Sequence, residues 1–258
     1  DEDAEREAAY LELLAERRVD GLIVASAALT ERHGRWLSAA PVPVVLVNCE
    51  LPGGALPAIL SDNRDGARLA AGHLLELGHR RLAHITGPAG SGATGERLAG
   101  VRDALAAAGL PPHALVVLEG DGHVTGGERA ASRLLDRRSR PTGFVCYNDL
   151  TAVGVLRAAR TRGLRIPAEV SVVGCDDIDL ASYVDPPRTT VAQQVSRMGR
   201  WAVERLADLI AVPTPGSLRA ARAGVVHLPV KLRVRGSTAP PPPAPARHRA
   251  SAGVAPCT

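Results

Sequence analysis

The segment NDLTAVGVLRAARTRGLRIPAEVSVVGCDDIDLASYVDPPRTTV, residues 148–191, decides the fold class of this 258-residue chain. Its apolar residues have helical spacing over 149–162, and the continuous apolar run VSVVGC follows at 170–175. Gly163 stands where a left-handed helix cap belongs, and Pro167 prevents the helix from continuing. A helix followed by an unbroken apolar strand is typical of a parallel sheet that helices cover on both faces.

The same alternation of strands and helices repeats along the rest of the chain. Six more strands are predicted, at 20–25, 42–47, 57–61, 81–86, 114–119 and 142–147, and three more helices, at 64–77, 96–108 and 126–137. The sequence therefore predicts an α/β fold with mostly parallel sheets. Ligands in such folds bind outside the carboxyl ends of the strands, so the polar residues that follow each strand are the candidates for a site.

The composition predicts a soluble cytoplasmic protein. Hydrophobic residues make up 45% of the chain, yet no run approaches the roughly 18 apolar residues that a membrane span needs. The acidic start DEDAEREAAYLELLAERR predicts an amphipathic helix at 3–17 and has no signal-peptide pattern. The net charge of +4 comes from arginines scattered among acids, which does not indicate a nucleic-acid-binding stripe.

Motifs for catalysis, metals and cofactors are missing from the sequence. The loop GPAGSGATGER (87–97) fits neither the P-loop pattern nor the dinucleotide fingerprint, no histidines form HExxH, and no serine lies in a G-x-S-x-G elbow. The four cysteines have neither metal-ligand nor disulfide-framework spacing. We therefore predict a binding protein with no cofactor and no metal, and not an enzyme.

Four stretches together resemble the lactose/galactose-repressor family of bacterial transcriptional regulators: SDNRDGARLAAGHLLELGHRRLAHITGP (61–88), ERLAGVRDAL (96–105), residues 148–191 and KLRVRGST (231–238). The resemblance implies two Rossmann-like subdomains, of the periplasmic-binding-protein-like type, that close around a small effector. In that family the effector is most often a sugar or a nucleobase, a helix-turn-helix headpiece precedes this core, and the regulator is a dimer or a higher oligomer; we expect a homodimer here. We expect ligand-induced closure to control transcription, with operator DNA bound only through a headpiece that this chain does not contain.

The resemblance also implies a division of the chain, with crossovers near 60, 191 and 224. The N-terminal subdomain would consist of 1–60 with 192–224, and the C-terminal subdomain of 61–191 with 225–235. Residues 238–258, rich in Pro and Ala, are predicted to be a disordered tail. The family's headpiece and first strand–helix–strand unit have no counterpart here, so we expect an incomplete N-terminal subdomain in which strand 20–25 loses a partner.

Asp176 and Arg97 are the first two candidates for effector contact. Asp176 ends the strand VSVVGC, and the family uses the matching position for its effector, whereas the alternative is that Asp176 or Asp177 caps the next turn. Arg97 carries a planar fork that binds a carboxylate or a hydroxyl pair, and in the first turn of its predicted helix it opposes the dipole. Its alternative is a surface salt bridge with Glu96 or Asp103.

The other candidates also follow predicted strands. Asp62 follows strand 57–61 and either faces the crevice or forms an ordinary turn. Asn148 can both donate to and accept from a sugar hydroxyl, because its side chain is an amide. The competing role of helix cap falls more naturally to Asp149. Tyr147 either offers a ring face to a sugar or packs between the subdomains. One residue of the Gly-rich loop and two of the N-terminal subdomain complete the candidates: Ser91, Asn48 and Gln193.

A sugar or related polyol is therefore the expected effector. The alternative function is that of a solute-binding protein of a sugar transporter, which has the same fold class. The missing signal peptide argues against that alternative, and an in-frame helix-turn-helix upstream would distinguish the two.

Overall fold

The computed structural model describes residues 10, 19–26, 29–51, 54, 56–137, 139–211 and 224–243. Apart from Tyr10, the helix predicted at 3–17 lies outside these residues, as does the part of the predicted tail from 244 onward. Within the described ranges, no helix has the length and apolar character needed to cross a membrane.

Two sheets form the described fold. The first is all parallel, in the order β1 (Leu22–Ala25), β2 (Val44–Val47), β3 (Ala58–Ser61) and β9 (Val225–Leu228). The second has the order β10 (Lys231–Arg233), β8 (Thr189–Ala192), β7 (Ser171–Asp176), β6 (Gly143–Cys146), β4 (Leu82–Ile85) and β5 (Leu115–Leu118), with β10 antiparallel to β8. The helices are α1 (Glu31–Ala39), α2 (Asn63–Glu76), α3 (Gly92–Ala107), α4 (Val124–Leu135), α5 (Asp149–Thr161), α6 (Leu180–Tyr183) and α7 (Val195–Ala211). The predicted α/β class is confirmed, and each of the seven predicted strands is present with its ends within two residues of the prediction.

Helices cover both faces of the second sheet, because side chains alternate along its strands. Leu82 and Val145 are buried on the face that packs against α2 and α3. Their neighbours Ala83 and Phe144 are buried on the face that packs against α4 and α5. Strands with both faces buried need apolar residues at every position, which explains the unbroken runs in the sequence.

The chain passes between the two sheets three times, and the third passage lies later in the chain than predicted. A crossover near 224 was expected, with 225–235 in the C-terminal subdomain, but β9 pairs with β3 in the first sheet. Only 231–233 joins the second sheet, as the edge strand β10. Pro229 explains the position of the crossing, because it has no N–H with which to continue the pairing of β9.

The tail was predicted to start at residue 238, but residues after β10 form hydrogen bonds to the second sheet as far as Ala239. Ser237 is fully buried; its Oγ donates to the carbonyl of Val172 at 2.6 Å and accepts from the backbone N–H of Thr189 at 2.8 Å. Ala239 exchanges two backbone hydrogen bonds with the Oγ of the first residue of β7. These contacts are hydrogen bonds between backbone groups and two serine hydroxyls rather than apolar packing, so the Pro- and Ala-rich composition gave no sign of them.

Replacing Ser237 with alanine is expected to lower the free energy of unfolding by roughly 1–2 kcal/mol, because two buried backbone groups lose their partner. Urea unfolding measures this loss. Ser182→Ala is the matched control, since Ser182 is exposed and such a change costs at most about 0.5 kcal/mol. Equal stabilities for the two variants would contradict the assignment.

Candidate ligand site

A cavity of about 340 Å³ lies where the carboxyl ends of strands from both sheets meet. Seven of the eight predicted site residues line it, all but Asp62. They are Asn48, Ser91, Arg97, Tyr147, Asn148, Asp176 and Gln193. The remaining described lining residues, which the sequence did not single out, are Ala25, Ser26, Val47, Asn63, Ala93, Ile178 and Val195. That these residues contact an effector stays a prediction.

Asp62 was predicted to face the cavity, but it caps a helix and is not among the described lining residues. Its Oδ1 accepts a hydrogen bond from the backbone N–H of Asp65 at 2.9 Å, at the start of α2. Of the two roles considered for Asp62, the turn-forming one is observed. The carboxylate satisfies one of the free N–H groups that every helix start presents.

The helix cap falls to Asn148 and not, as the sequence predicted, to Asp149. Asn148 is the cap of α5, with its Oδ1 accepting from the N–H of Thr151 at 2.8 Å. Asp149 is fully buried instead; its Oδ1 lies 3.3 Å from the Nε of Arg188, and its Oδ2 accepts from the N–H of Ile178 at 3.0 Å. Asn148 therefore reaches the cavity with its oxygen already engaged.

Arg97 is a buried residue, with 6% of its surface exposed. Its Nε donates to Oδ1 of Asn63 at 2.9 Å, its Nη1 donates to the carbonyl of Tyr147, and its guanidinium carbon lies 4.7 Å from the centre of the Tyr147 ring. Asn63 is the most important site residue that the sequence did not reveal. Its position beside Asp62, just before a predicted helix, is typical of a residue that only starts the helix. These contacts fix the guanidinium and leave Nη2 near Asp176, at 3.6 Å from its Oδ1.

Two expectations about Arg97 are wrong. The alternative surface pair with Asp103 does not form, because Asp103 pairs with Arg64 at 2.6 Å. The helix that contains Arg97 begins at Gly92, so Arg97 lies in its second turn and not in the first. Opposition to the helix dipole therefore gives no argument for a special role, whereas burial of the charge does.

Asp176 brings a carboxylate to the cavity at the end of β7. Its Oδ1 accepts from Nε2 of Gln193 at 2.6 Å, and its backbone has a φ of 106°, a conformation that L residues rarely adopt. Burial raises the pKa of Asp176 above its ordinary value, and the Arg97 guanidinium opposes that shift. The next residue, Asp177, pairs with Arg235 at 2.6 Å. The site thus presents a fixed cation beside a carboxylate whose other oxygen can accept from a ligand.

Gln193 joins the two sheets through its side-chain amide. Its Oε1 accepts from Oγ of Ser61 at 2.9 Å and from Nδ2 of Asn48 at 3.2 Å, and both of these residues end strands of the first sheet. Its Nε2 binds Asp176 of the second sheet. Asn48, like Asp176, has a positive φ, of 55°. Strained backbone at two strand ends that face one cavity is a pattern that favours a functional role.

Tyr147 lines the cavity with little of its ring free. Only 6% of the residue is exposed, Arg97 lies over the ring, and a Cβ added at Gly87 would overlap the ring atoms. The tyrosine hydroxyl lies 3.4 Å from Oγ of Ser91. Packing is therefore the observed role, and no open ring face is available for stacking. Among the described lining residues, Tyr147 is the sole aromatic one.

Comparison with known proteins matches residues 71–238 to the family model described as "Periplasmic binding protein-like domain". The repressor PurR of Vibrio atlanticus, described as an HTH-type transcriptional repressor, is 34% identical over 207 residues, which cover 80% of this chain and 62% of that protein. The chain therefore spans a little under two thirds of the length of this curated relative.

Solved structures give similar matches over almost the whole chain. A LacI family transcriptional regulator from Enterococcus faecium, with bound ribose, is 31% identical with a TM-score of 0.79, covering 92% of this chain and 85% of that one. The complex of the transcriptional regulator CelR with cellobiose is 35% identical with a TM-score of 0.79, covering 91% of this chain and 69% of that one.

Proposed function

This chain belongs to the lactose/galactose-repressor family, as its effector-binding core, and on that premise we propose that its effector is a sugar or a related polyol. The fold is the periplasmic-binding-protein-like α/β fold of that family. The proteins it resembles include transcriptional repressors and regulators solved with a one-ring and with a two-ring sugar.

The observation that carries the proposal is the mixture of donors and acceptors around the cavity. Arg97 donates, Asp176 accepts, and the amide of Asn48 can do both. The oxygen of the Gln193 amide already accepts two hydrogen bonds, so this amide offers a ligand only its second N–H. Adjacent hydroxyl groups on a ring need this arrangement, because each hydroxyl both donates and accepts. A nucleobase, the other effector class implied by the family, is planar and gains from stacking, but the ring of Tyr147 is already covered.

Regulation would follow from the position of the cavity between the two sheets. A ligand bound there touches residues of both, as Gln193 already does, so it stabilises the closed arrangement. In the proposed regulator, closure changes operator binding by a helix-turn-helix segment that lies outside this sequence. The effect is reciprocal, because DNA must alter effector affinity by the factor with which the effector alters DNA affinity.

A homodimer is part of the proposal. The short helix α6, a few residues after Asp176, exposes 41% of Leu180 and 84% of Tyr183. Apolar side chains exposed so close to the site give a second copy a surface that ligand binding can affect.

Isothermal titration calorimetry tests the effector class, with D-ribose, D-galactose, cellobiose, adenine and guanine as probes. We expect saturable binding of at least one sugar and of neither base. Binding of a base and of no sugar would contradict the proposal. In the full-length protein, the bound sugar should also shift operator affinity; sugar binding without that shift would favour the solute-binding alternative.

A further inference from the structure

We propose that Gln193 and Gln194 together set the angle between the two subdomains, so that effector affinity depends on Gln194 although Gln194 is not among the described residues that line the cavity. They are the two glutamines of the chain, and both lie in the second crossover, between β8 and α7. The inference rests on the proposed function and extends it by assigning the control of subdomain closure to two adjacent side chains.

Hydrogen bonds join the three crossovers in pairs. The first crossover, between β3 and α2, is joined to the third, between β9 and β10, because the N–H of Asp62 donates to the last carbonyl of β9 at 2.9 Å. The first is joined to the second by Ser61, whose Oγ donates to Oε1 of Gln193 at 2.9 Å. The second is joined to the third by Gln194, whose Nε2 donates to the carbonyl of Pro229 at 2.7 Å. Two of the three links thus depend on a glutamine side chain.

The orientation of each amide follows from its partners. Nε2 of Gln193 donates to Oδ1 of Asp176 at 2.6 Å, and a carboxylate can only accept. Nε2 of Gln194 donates to a backbone carbonyl, which likewise can only accept. If either amide turned over, two acceptors would face each other, so each amide is held in one orientation.

The two glutamines act on the angle between the subdomains from one short piece of backbone. The amide of Gln193 bonds Asn48 of the first sheet at 3.2 Å and Asp176 of the second sheet, so opening the cavity would break one of these bonds. Gln194 holds the same piece of backbone against the third crossover and thereby positions Gln193. Subdomains that are held near the closed angle lose less free energy when a ligand closes them, which raises the apparent affinity.

Calorimetry with D-ribose, D-galactose and cellobiose measures the consequence for affinity. Gln194→Ala should weaken binding of the sugar that the parent binds most tightly by about three- to tenfold, the effect of losing one hydrogen bond. Gln194→Glu keeps the size of the side chain but at neutral pH presents an acceptor to the Pro229 carbonyl, so it should weaken binding by a similar factor. Arg200→Ala, at an exposed position of α7, is the control and should alter the affinity less than about twofold.

A distance measurement without ligand tests the angle itself. Spin labels are attached at Arg35→Cys on α1 and at Thr125→Cys on α4, two exposed positions in different subdomains. Cys257→Ser is included in every variant, and the three cysteines within the described residues are buried. Pulsed electron paramagnetic resonance should give a broader distribution of distances, extending to longer values, for Gln194→Ala than for the parent or Arg200→Ala.

The outcomes separate this inference from the proposed function. An unchanged distance distribution in Gln194→Ala, or a sugar affinity within about twofold of the parent's, would overturn the inference and leave the sugar-binding function standing. A parent that binds none of the three sugars contradicts the proposed effector class instead. In that case the distance distributions alone decide whether the two glutamines set the angle.

Discussion

Replacing Asp149 with alanine is expected to lower the free energy of unfolding by about 3–5 kcal/mol, because the change leaves a buried guanidinium without its counter-charge. Asp149 and Arg188 are both 0% exposed, with 3.3 Å between Oδ1 and Nε. Asp149 also accepts from Oγ1 of Thr190 at 2.8 Å and from the N–H of Ile178. Burial raises the pKa of Asp149 and lowers the pKa of Arg188, so each charge depends on the other to remain.

The double variant Asp149→Ala/Arg188→Leu is the critical comparison. Within the described residues, Nη1 and Nη2 of Arg188 have no hydrogen-bond partner, so leucine at this position removes a poorly satisfied cation. We expect the double variant to recover at least about 2 kcal/mol relative to Asp149→Ala, because apolar replacements of buried ion pairs are often neutral. Urea unfolding at neutral pH measures both differences.

An exposed ion pair provides the matched control. Asp136 pairs with Arg162 at 2.7 Å, but its side chain is 67% exposed. Asp136→Ala should therefore cost no more than about 1 kcal/mol. If Asp149→Ala costs as little, or if the double variant is as unstable as the single one, the buried pair does not have the role assigned to it.

The fold was largely predictable from the sequence because parallel strands buried on both faces leave an unmistakable pattern. The runs at 42–47 and 170–175 are apolar at nearly every position, and the structure places β2 and β7 there. The same geometry predicted the site, since carboxyl ends of parallel strands converge. Asn48, at the end of β2, and Asp176, at the end of β7, thus line one cavity although they are far apart in sequence.

Local sequence could not decide which polar residue caps a helix and which lines the cavity. Asp62 and Asn148 both stand between a strand and a helix, and both cap the helix, yet only Asn148 also lines the cavity. The difference lies in the packing of the two sheets, which no short pattern reports. For the same reason the contact between Gly87 and Tyr147 was invisible, because it depends on strands that pair across 60 residues.

The burial of Arg97 could not be predicted from the sequence, for a different reason. In an arginine-rich chain a surface role is the usual one, so its burial and its hydrogen bond to Asn63 could not be expected from composition. This burial changes the test of its function. The structure predicts that Arg97→Ala lowers stability as well as binding, because Asn63 and the Tyr147 carbonyl lose a donor.

Asp176→Asn is the substitution that separates binding from stability, because we expect a large loss of affinity with little change in stability. Neutralising the carboxylate removes the charge-assisted hydrogen bonds to a sugar hydroxyl, so affinity should fall by about 1.5–3 kcal/mol, roughly ten- to a hundredfold. Burial raises the pKa of Asp176 in the unliganded fold, so its contribution to stability is present at low pH and is lost as pH rises through that raised pKa. Asparagine never ionises, which avoids the cost of burying the charge, but it also removes the charge that faces the buried Arg97 guanidinium at 3.6 Å. These two effects oppose each other, so the stability of the unliganded variant at neutral pH should stay within about 1 kcal/mol of that of the parent. Calorimetry with the tightest-binding sugar and thermal unfolding without ligand measure the two effects, and Asp177→Asn, whose carboxylate faces Arg235, should keep the affinity within about twofold. If Asp176→Asn binds that sugar as tightly as the parent, Asp176 does not contact the effector.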